Sequence, residues 1–312
     1  MPTIKRFRMV SLCLYADHHP PHFHIVGVDF QVLVRISDLT VIKAVSLLLR
    51  LRHWIQAHCL NYPLIRNAPQ ILSTCFLNPS GIILVEIIPV IDLKDGHVVH
   101  ARCGNRSMYL PVNSPLCRSS DVFDVVGAFL SVFAFKTFYL ADLNAITGQG
   151  DHKALINSIL CAFPELIFWV DCGYQRHQVQ PANYLPVLGS ECYKPQQLAE
   201  LADFNKNFIL SLDYGSNGPL GAGALFSHPD YWPDKVIVMT LDRVGSQQGA
   251  DVGKLAGYCR DYPDTQFVAA GGIRHVDDVL ALQALGVGHA LLASALHAKT
   301  IGSQEISAIA KF

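Results

Sequence analysis

From residue 86 onwards, short apolar runs recur along the chain and are separated by longer stretches with helical or loop patterns. Within each run the apolar residues follow one another directly, as expected for parallel strands that are buried on both faces. Eight such runs are present, and each predicts a strand. They are EIIPVIDL (86–93), KTFYLADL (136–143), LIFWVDCG (166–173), NYLPVLGS (183–190), NFILSLDYG (207–215), KVIVMTLD (235–242), QFVAAGG (266–272) and HALLASAL (289–296).

Helical periodicity occupies several of the intervals between these runs. In residues 121–134 the spacing of Val122, Val126 and Phe129 predicts one apolar helix face. Ser120, just before this segment, is the predicted N-cap. Further helices are predicted over residues 194–204, 251–262 and 275–286.

Eight alternating strand and helix units are the pattern of a (β/α)8 TIM barrel, a fold of about 250 residues. The alternative is a doubly wound sheet, but no strand here is followed by a GxGxxG turn. The predicted fold class is therefore α/β, with a barrel that is preceded by a small partial α+β unit.

The first 85 residues do not show this alternation. Between residues 39 and 85 the chain contains no Asp or Glu, although 25 acids are present in all. We interpret this acid-free stretch as a junction between two unrelated units. The alternative is an apolar linker helix over residues 41–60, followed by a loop. The predicted domains are a partial α+β module (1–44), a junction of uncertain order (45–85) and the barrel (86–312).

Composition narrows the class of protein. Hydrophobic residues make up 51% of the chain and charged residues 16%, so a sizeable core is expected. The net charge of −1 argues against nucleic acid as the main ligand. The nine cysteines form no CxxC pair, which fits neither a zinc knuckle nor a disulfide framework and favours a reducing cytoplasm. The most apolar run, at 41–55, is interrupted by Lys43, Arg50 and Arg52, so we expect no membrane span. The N-terminus, MPTIKRFRMV, has no long apolar core or cleavage site behind it, so we expect no signal peptide.

The predicted strands contain an internal repeat. Asp92 lies at the end of the first strand, and Asp213 lies at the end of the fifth, half a barrel later. The third and seventh units correspond in the same way, and so do the fourth and eighth. The matched pairs are Gly173 with Gly272, Arg176 with Arg274 and Ser190 with Ser294. This pattern predicts two similar half-barrels.

In a (β/α)8 barrel the chemistry lies at the C-terminal ends of the strands. Asp92 and Asp213 are therefore expected to face each other across one mouth, where they can act as general base and general acid. Turns that contain Gly and Ser offer N–H groups to phosphate. The repeat thus predicts a substrate with a phosphate at each end. Asp142, Asp171 and Asp242 also end strands, but each fits an N-cap or a solvated loop residue as readily.

Several segments resemble the histidine-biosynthesis barrel family, and within it the ProFAR isomerase branch more than the cyclase branch. They are IIPVIDLKDGHVVHA, FYLADL, ILSLDY, VIVMT and FVAAGGIRHVDDVLALQALGV, and the resemblance covers residues 86–298. It implies an Amadori rearrangement of an aminoaldose to an aminoketose, without metal or cofactor.

The resemblance also implies roles for individual residues. Asp92 would remove the C2 proton of the sugar, Asp213 would help to open the furanose ring, and Thr240 would assist. One phosphate would be held by Gly271, Gly272 and Ser294, and the other by Gly173, Gly189 and Ser190. The implied partner is a phosphorylated small molecule, and a monomer is favoured.

The chain departs from the family pattern at three turns. Asp171-Cys172-Gly173 replaces a glycine run, Ala293-Ser294-Ala295 replaces Gly-Arg-Ala, and Arg243-Val244-Gly245 lacks an acid. Asp171 would repel an anion near the third and fourth strands, so the substrate could be smaller or carry one phosphate. An alternative is therefore a divergent family member that acts on another phosphorylated metabolite, for example in the synthesis of the one-carbon cofactor tetrahydromethanopterin.

The histidine-rich segment YADHHPPHFHI (15–25) lies outside the barrel. Residues 1–44 resemble a small uncharacterised bacterial family (DUF4160-like) that is found beside toxin–antitoxin genes, and the unit looks truncated at the junction. A hairpin entry is the favoured interpretation of this segment. Zinc ligation is less favoured; it would use His18, His19, His22 and His24, of which the last two share one face of a strand. A further alternative is a non-catalytic fusion whose N-terminal module binds nucleic acid or a toxin–antitoxin partner, through Lys5, Arg6, Arg8 and Arg35.

Overall fold

A computed structural model describes residues 84–246 and 248–309 with their side chains. Before residue 46 it describes the backbone of five strands. The chain divides into two units, Met1–Gly81 and Ile82–Phe312.

The described strands of the first unit form an antiparallel sheet in which each strand pairs with the next one in sequence. The last strand, Val41–Val45, pairs with Gln31–Arg35. A linker helix that begins at residue 41 is therefore wrong at its start, because VIKAV is rich in residues that favour strands. Residues 46–83, which contain most of the predicted junction, lie outside the described residues. The five strands are Thr3–Phe7, Val10–Tyr15, His22–Gly27, Gln31–Arg35 and Val41–Val45.

The second unit is a closed barrel of eight parallel strands, which confirms the predicted fold class. The eighth strand pairs with the first in the register His289↔Glu86 to Leu292↔Pro89, and this pairing closes the sheet. Each strand lies within one of the eight predicted runs or extends it by a single residue. In order they are Glu86–Lys94, Thr137–Asp142, Ile167–Asp171, Tyr184–Gly189, Ile209–Gly215, Lys235–Thr240, Gln266–Ala270 and His289–Leu292; we call them barrel strands 1 to 8.

Helices pack around the barrel, and two of the predicted ones differ in detail from the prediction. Asp121, and not Ser120, caps the helix Val122–Val132, because its carboxylate accepts hydrogen bonds from the N–H groups of Phe123 and Asp124. The segment Pro195–Phe204 is a 3-10 helix. The α-helices are Val122–Val132, Leu143–Ile146, Lys153–Ala162, Val252–Asp261, Val276–Ala284, Ser294–His297 and Ser303–Ile309. Further 3-10 turns are Arg106–Met108, Ser190–Cys192, Gly223–Phe226, Pro229–Tyr231 and Leu241–Arg243.

Two apolar layers stabilise the barrel. One fills its interior and includes Ile88, Trp169 and Ile237, all nearly inaccessible to solvent. The other lies between strands and helices and includes Phe129 and Phe168. Burial of each such side chain contributes about 1.5–3 kcal/mol. Because successive strand residues point to opposite layers, the strand position decides which side chains can reach the mouth.

A long connection after barrel strand 1 crosses the C-terminal side of the barrel; we call residues 95–111 the first loop. It begins with a hairpin whose strand, His97–His100, runs antiparallel to barrel strand 1. Farther along, the N–H of Cys103 donates to the carbonyl of Val244, in the loop after barrel strand 6, at 2.7 Å. The first loop therefore packs against the opposite side of the mouth. Within the described part of the chain, no helix has the length and apolar character to cross a bilayer.

Candidate active site

A cavity of about 410 Å3 opens at the C-terminal ends of the barrel strands. Asp92 from barrel strand 1 and Asp213 from barrel strand 5 both line it. Strands 1 and 5 are four positions apart in a ring of eight, so their ends lie on opposite sides of the mouth. Asp171, at the end of barrel strand 3, lines the same cavity. The strand ends therefore bring three carboxylates, and not two, to one space.

Asp213 is held in place by several hydrogen bonds. Its carboxylate accepts from the hydroxyl of Ser211 at 2.6 Å, from the N–H of Glu191 at 3.2 Å and from the hydroxyl of Ser190 at 3.3 Å. The N–H of Asp213 in turn donates to the Ser190 hydroxyl at 2.9 Å. The residue is 4% exposed, so its carboxylate has a defined orientation in the wall of the cavity.

Asp171 is also oriented by two donors. The Tyr139 hydroxyl donates to its Oδ2 at 3.1 Å, and the N–H of Gly173 donates to its Oδ1 at 2.9 Å. Tyr139 lies on barrel strand 2 and is 3% exposed. Asp171, Asp213 and Asp92 all raise the pKa of the Tyr139 hydroxyl, after the larger effect of its burial. Tyr139 therefore lies among the three carboxylates and remains a hydrogen-bond donor.

Burial raises the pKa of both predicted catalytic aspartates to about 7. Neighbouring charges then act on them in opposite directions. The guanidinium of Arg106 lowers the pKa of Asp92, although Asp171 raises it. For Asp213 the largest effect after burial is the Glu191 carboxylate, which raises its pKa. Arg106 thus favours an ionised Asp92, and Glu191 favours a protonated Asp213.

Arg106 comes from the first loop and pairs with Glu191 across the mouth. One guanidinium nitrogen donates to Glu191 Oε2 at 3.1 Å, and the other contacts Oε1. Both side chains are largely buried. Such a two-point pair holds the first loop against the turn that follows barrel strand 4.

The predicted glycines at barrel strand 7 line the cavity. Gly271 and Gly272 have φ values of +97° and +83°, a region that side chains other than Gly adopt with strain. A Cβ at Gly272 would lie 2.3 Å from the carbonyl oxygen of Gly249, and one at Gly271 would lie 2.7 Å from that of Thr240. This turn therefore requires two glycines and exposes its backbone to the cavity.

Ser294, the third residue predicted for this phosphate site, lines the same part of the cavity. Its hydroxyl is 3.1 Å from Nε2 of His100, a residue of the first loop. His297 also lines the cavity and is 5% exposed, and its Nδ1 has no hydrogen-bond partner among the described residues. Burial, with the charge of His100 second, lowers the pKa of His297 to about 4, so its ring is neutral.

The other predicted phosphate site has a different arrangement. Ser190 is fully buried and its hydroxyl is bonded to Asp213, while the N–H of Gly173 is bonded to Asp171. Gly189 lies beneath the two acids, because a Cβ there would be 3.1 Å from Asp213 Oδ2 and 3.6 Å from Asp171 Oδ2. None of Gly173, Gly189 and Ser190 lines the cavity. The donors predicted to bind phosphate here bind carboxylates of the protein.

Thr240 ends barrel strand 6, but its side chain is not among those that line the cavity. Its neighbours Met239 and Leu241 do line it, and alternate residues of a strand point to opposite faces. The Thr240 hydroxyl accepts a hydrogen bond from Lys254 at 3.1 Å. The structure therefore does not bring Thr240 together with Asp92 and Asp213, and its catalytic assistance stays a prediction.

The weaker strand-end candidates divide into two kinds. Asp142 is fully buried, caps the helix Leu143–Ile146 and accepts a hydrogen bond from the N–H of His152. Asp242 lies in a 3-10 turn and is not among the cavity-lining residues. Asp171 alone of these candidates reaches the cavity.

Sequence reasoning did not single out Arg106, Glu191, Tyr139, His100 or His297. Tyr139 had a signal, because its hydroxyl-bearing side chain stands in an otherwise apolar run whose end is at the mouth. Arg106 and His100 had none, because they lie in a loop without a repeating pattern.

The predicted histidine cluster lies mostly outside the described residues. Only the backbone of His22 and His24 is described, two residues apart in one strand. Within residues 84–246 and 248–309, no three His, Cys, Asp or Glu side chains are grouped to hold a metal ion. A zinc site in the first unit therefore stays a prediction.

Fold and site together define a (β/α)8 barrel with an acidic cavity at its C-terminal mouth. A model of the histidine biosynthesis protein family matches residues 230–302. The chain is 32% identical to the uncharacterized protein MJ0703 of Methanocaldococcus jannaschii. The alignment of 232 residues spans 71% of this chain and 97% of that protein. The chain therefore belongs to the histidine-biosynthesis barrel family.

Other members that the chain matches are named as isomerases. Phosphoribosyl isomerase A of Streptomyces griseus is 24% identical over 248 residues, or 71% of this chain and 96% of the relative. A 1-(5-phosphoribosyl)-5-((5-phosphoribosylamino)methylideneamino) imidazole-4-carboxamide isomerase of Acinetobacter baumannii is 24% identical over 240 residues, or 70% of this chain and 95% of the relative. All three relatives align with about the length of the barrel, and the resemblance of residues 1–44 to a small bacterial family stays a prediction.

Proposed function

We propose that the barrel is an aldose–ketose isomerase that acts on a phosphorylated sugar amine. The observation that supports this most is the pair Asp92 and Asp213, which end opposite strands, line one cavity and have pKa values raised to about 7. An acid–base pair works best when its pKa values lie near the working pH.

The charges around the two aspartates support one assignment of roles. Asp92 acts as the base, because Arg106 stabilises its ionised form. Asp213 acts as the acid, because Glu191 favours its protonated form and three donors hold it in place. The assignment agrees with the one that the family resemblance implies.

The rearrangement then needs no atom from outside the substrate apart from protons. Asp213 donates a proton to the ring oxygen as the C1–O bond breaks, and the nitrogen electron pair forms a C1=N iminium. Asp92 removes the C2 proton, and the C–H electron pair forms a C1=C2 double bond and neutralises the nitrogen. Return of a proton to C1 and loss of the C2 hydroxyl proton leave a ketone at C2, so substrate and product are isomers.

We propose that the phosphate of the substrate binds at the turn of Gly271 and Gly272, beside Ser294. These residues expose backbone to the cavity, and close approach of backbone N–H groups is what phosphate binding requires. His297 lines the same cavity and can donate one hydrogen bond from its neutral ring.

Substitution of the two aspartates tests the proposed function. Asp92→Asn and Asp213→Asn are each expected to lower kcat/KM by about 10²–10⁴, because each removes one proton-transfer group. Isomerisation would be followed by NMR with two substrates, the bisphosphorylated substrate named for the Acinetobacter baumannii relative and an aminoaldose with a single phosphate.

Asp242→Asn is the matched control, since it removes a strand-end carboxylate that does not line the cavity. Near-normal turnover in both cavity variants would overturn the acid–base assignment. Circular dichroism of each variant would show that a loss of activity does not come from unfolding.

A second candidate is a divergent family member that acts on another phosphorylated metabolite, such as a precursor of the one-carbon cofactor tetrahydromethanopterin. The higher identity to the Methanocaldococcus jannaschii protein than to the named isomerases favours it. Rescue of a histidine auxotroph that lacks the isomerase would support the first candidate, and failure of a well-expressed protein to rescue would support the second.

A further inference from the structure

The two sides of the cavity carry opposite chemistry. We call the ends of barrel strands 3 to 5 with the turn after strand 4 the acidic side, and the ends of barrel strands 7 and 8 the glycine side. The acidic side contributes Asp171, Glu191 and Asp213 to the cavity wall. The cation that faces it, Arg106, is paired at two points with Glu191. The remaining charge of the acidic side is therefore negative.

The hydrogen-bond donors of the acidic side already serve carboxylates. The N–H of Gly173 and the hydroxyl of Tyr139 donate to Asp171. The N–H of Glu191 and the hydroxyl of Ser190 donate to Asp213. A phosphate on this side would have to displace these bonds and would also meet like charges, which is costly in a buried site.

The glycine side has the opposite character. The Gly271–Gly272 turn exposes backbone, and Ser294 presents a hydroxyl beside His100. His297 is 5% exposed, lines the cavity and has an Nδ1 without a partner among the described residues. A buried polar atom of this kind is normally satisfied by a ligand or by water. The glycine side therefore points to one anionic group.

Resting on the proposed function, we propose that the substrate carries a single phosphate, held on the glycine side, and a basic amine that is distinct from the nitrogen reacting at C1 and that binds Asp171 on the acidic side. Asp171 is thus a specificity-determining residue. Two separate observations support this role for Asp171.

First, Asp171 lines the cavity and its Oδ1 accepts the hydrogen bond of the Gly173 N–H, the donor that a second anion would need. Second, the carboxylates of Asp171 and Asp213 lie close together in the cavity wall, since a Cβ on Gly189 would be 3.6 Å from Asp171 Oδ2 and 3.1 Å from Asp213 Oδ2, so one cationic group can face both. Burial raises the pKa of Asp171 to about 6, so the group is ionised at neutral pH and can pair with an ammonium.

Calorimetric titration of the full chain with three sugar phosphates tests this inference. The probes are D-glucosamine 6-phosphate, D-glucose 6-phosphate and D-fructose 1,6-bisphosphate. The first two differ mainly in the amine, and the third adds a second phosphate. Wild-type protein is expected to bind the amine tightest and the bisphosphate weakest.

Asp171→Asn should remove the preference for the amine, which is expected to be about ten- to a hundredfold. The amide keeps an oxygen for the Gly173 N–H and can also donate to the Tyr139 hydroxyl, so the fold should persist. Asp242→Asn, the control outside the cavity, should leave the order of the three affinities unchanged.

Three outcomes would overturn the inference. They are a bisphosphate that binds wild-type protein as tightly as the monophosphates, an amine preference that is absent from wild type or survives in Asp171→Asn, and no measurable binding of any probe at millimolar concentration. The order of affinities is measured by binding alone, so it can be as expected even if Asp92→Asn retains turnover. Retained turnover would then contradict only the proposed function. If the three affinities do not follow the expected order but turnover still depends on Asp92, only the proposed substrate class is contradicted.

Discussion

The acidic side and the glycine side occupy equivalent places in the half-barrel repeat, and their backbones are alike. Gly173 and Gly272 both have left-handed φ values, +71° and +83°. Ser190 and Ser294 each begin a short helical turn after a strand. Their surroundings differ, because the Ser190 hydroxyl is bonded to Asp213 while the Ser294 hydroxyl contacts a histidine.

This difference teaches that a turn of the right shape is not by itself a phosphate site. The N–H of Gly173 is directed to the Asp171 carboxylate, so the protein supplies its own anion there. On the glycine side no strand-end carboxylate lines the cavity at barrel strands 7 and 8. We infer that one acidic residue, Asp171, decides which of the two similar turns can accept a ligand anion.

The largest effect on the comparison of the two sides is expected when the equivalent glycines, Gly272 and Gly173, are each replaced by alanine. Gly272→Ala should lower the free energy of unfolding by about 3 kcal/mol, because the new Cβ would lie 2.3 Å from a carbonyl oxygen at a positive φ. It should also weaken the binding of inorganic phosphate. Gly173→Ala should cost stability too, since its Cβ would lie 3.0 Å from the Ile146 Cα, but leave phosphate affinity unchanged.

Gly286→Ala is the matched control for these two variants. Its φ is +81° and a Cβ there would meet no atom within 4 Å, so only backbone strain of about 1 kcal/mol is expected. Urea denaturation and phosphate titration would measure the two quantities. Weaker phosphate binding in Gly173→Ala than in Gly272→Ala would break the comparison.

A smaller effect is expected from the buried charge of the acidic side. The pKa of Asp171 rises from 3.8 to about 6 on folding, mainly through burial. Between these values the folded protein keeps a proton that the unfolded chain releases, so raising the pH through this interval favours unfolding. The Asp171→Asn variant has no carboxylate to ionise here, so its stability does not fall in this interval. At about pH 8 its free energy of unfolding should exceed that of wild type by about 1–3 kcal/mol.

Thermal melts between about pH 4 and 8 would measure this difference. The stability of the variant minus that of wild type should increase with pH up to about 7 and then level off. A difference that decreases as the pH rises would show that ionisation of Asp171 does not destabilise the folded protein. Asp242→Asn provides the reference for loss of a carboxylate outside the cavity.

The smallest effect is expected at Thr240, on the strand between the two sides. Thr240→Val removes a hydroxyl that accepts from Lys254 and does not line the cavity. We expect a loss of about 1 kcal/mol in stability and less than about tenfold in kcat. A hundredfold loss of kcat with an unchanged fold would show that the hydroxyl acts at the reacting atoms, as the family resemblance implied.

The eight barrel strands could be predicted because each is a continuous apolar run, and this pattern needs no knowledge of distant contacts. The helix Lys153–Ala162 was not predicted, although Ile156, Ile159 and Leu160 are buried along it. The N-cap of Val122–Val132 was placed one residue early, because Ser120 and Asp121 are both good caps and only the hydrogen bonds from the N–H groups of Phe123 and Asp124 distinguish them. The ends of helices and strands depend on single contacts, which the hydrophobic pattern of neighbouring residues does not predict.

For the site, strand-end position together with the half-barrel repeat was enough to select Asp92 and Asp213, since a barrel collects strand-end residues at one mouth. It was not enough to rank Asp171 above Asp142 and Asp242. Asp142 follows a strand just as closely, but it lies one position out of phase with the cavity-lining Ala141 and so points away from the cavity.

The order of residues along the chain thus specified the class of fold, the half-barrel repeat and the pair Asp92 and Asp213, because hydrophobic runs and strand ends are properties of neighbouring residues. Which donors face which carboxylates was decided by the closed barrel, since Arg106 meets Glu191 across 85 residues of sequence and Ser190 meets Asp213 across 23. The charge of each side of the cavity depends on these distant pairings. In our proposal, folding and not the motif therefore makes one turn a site for an anion and the other a site for a cation.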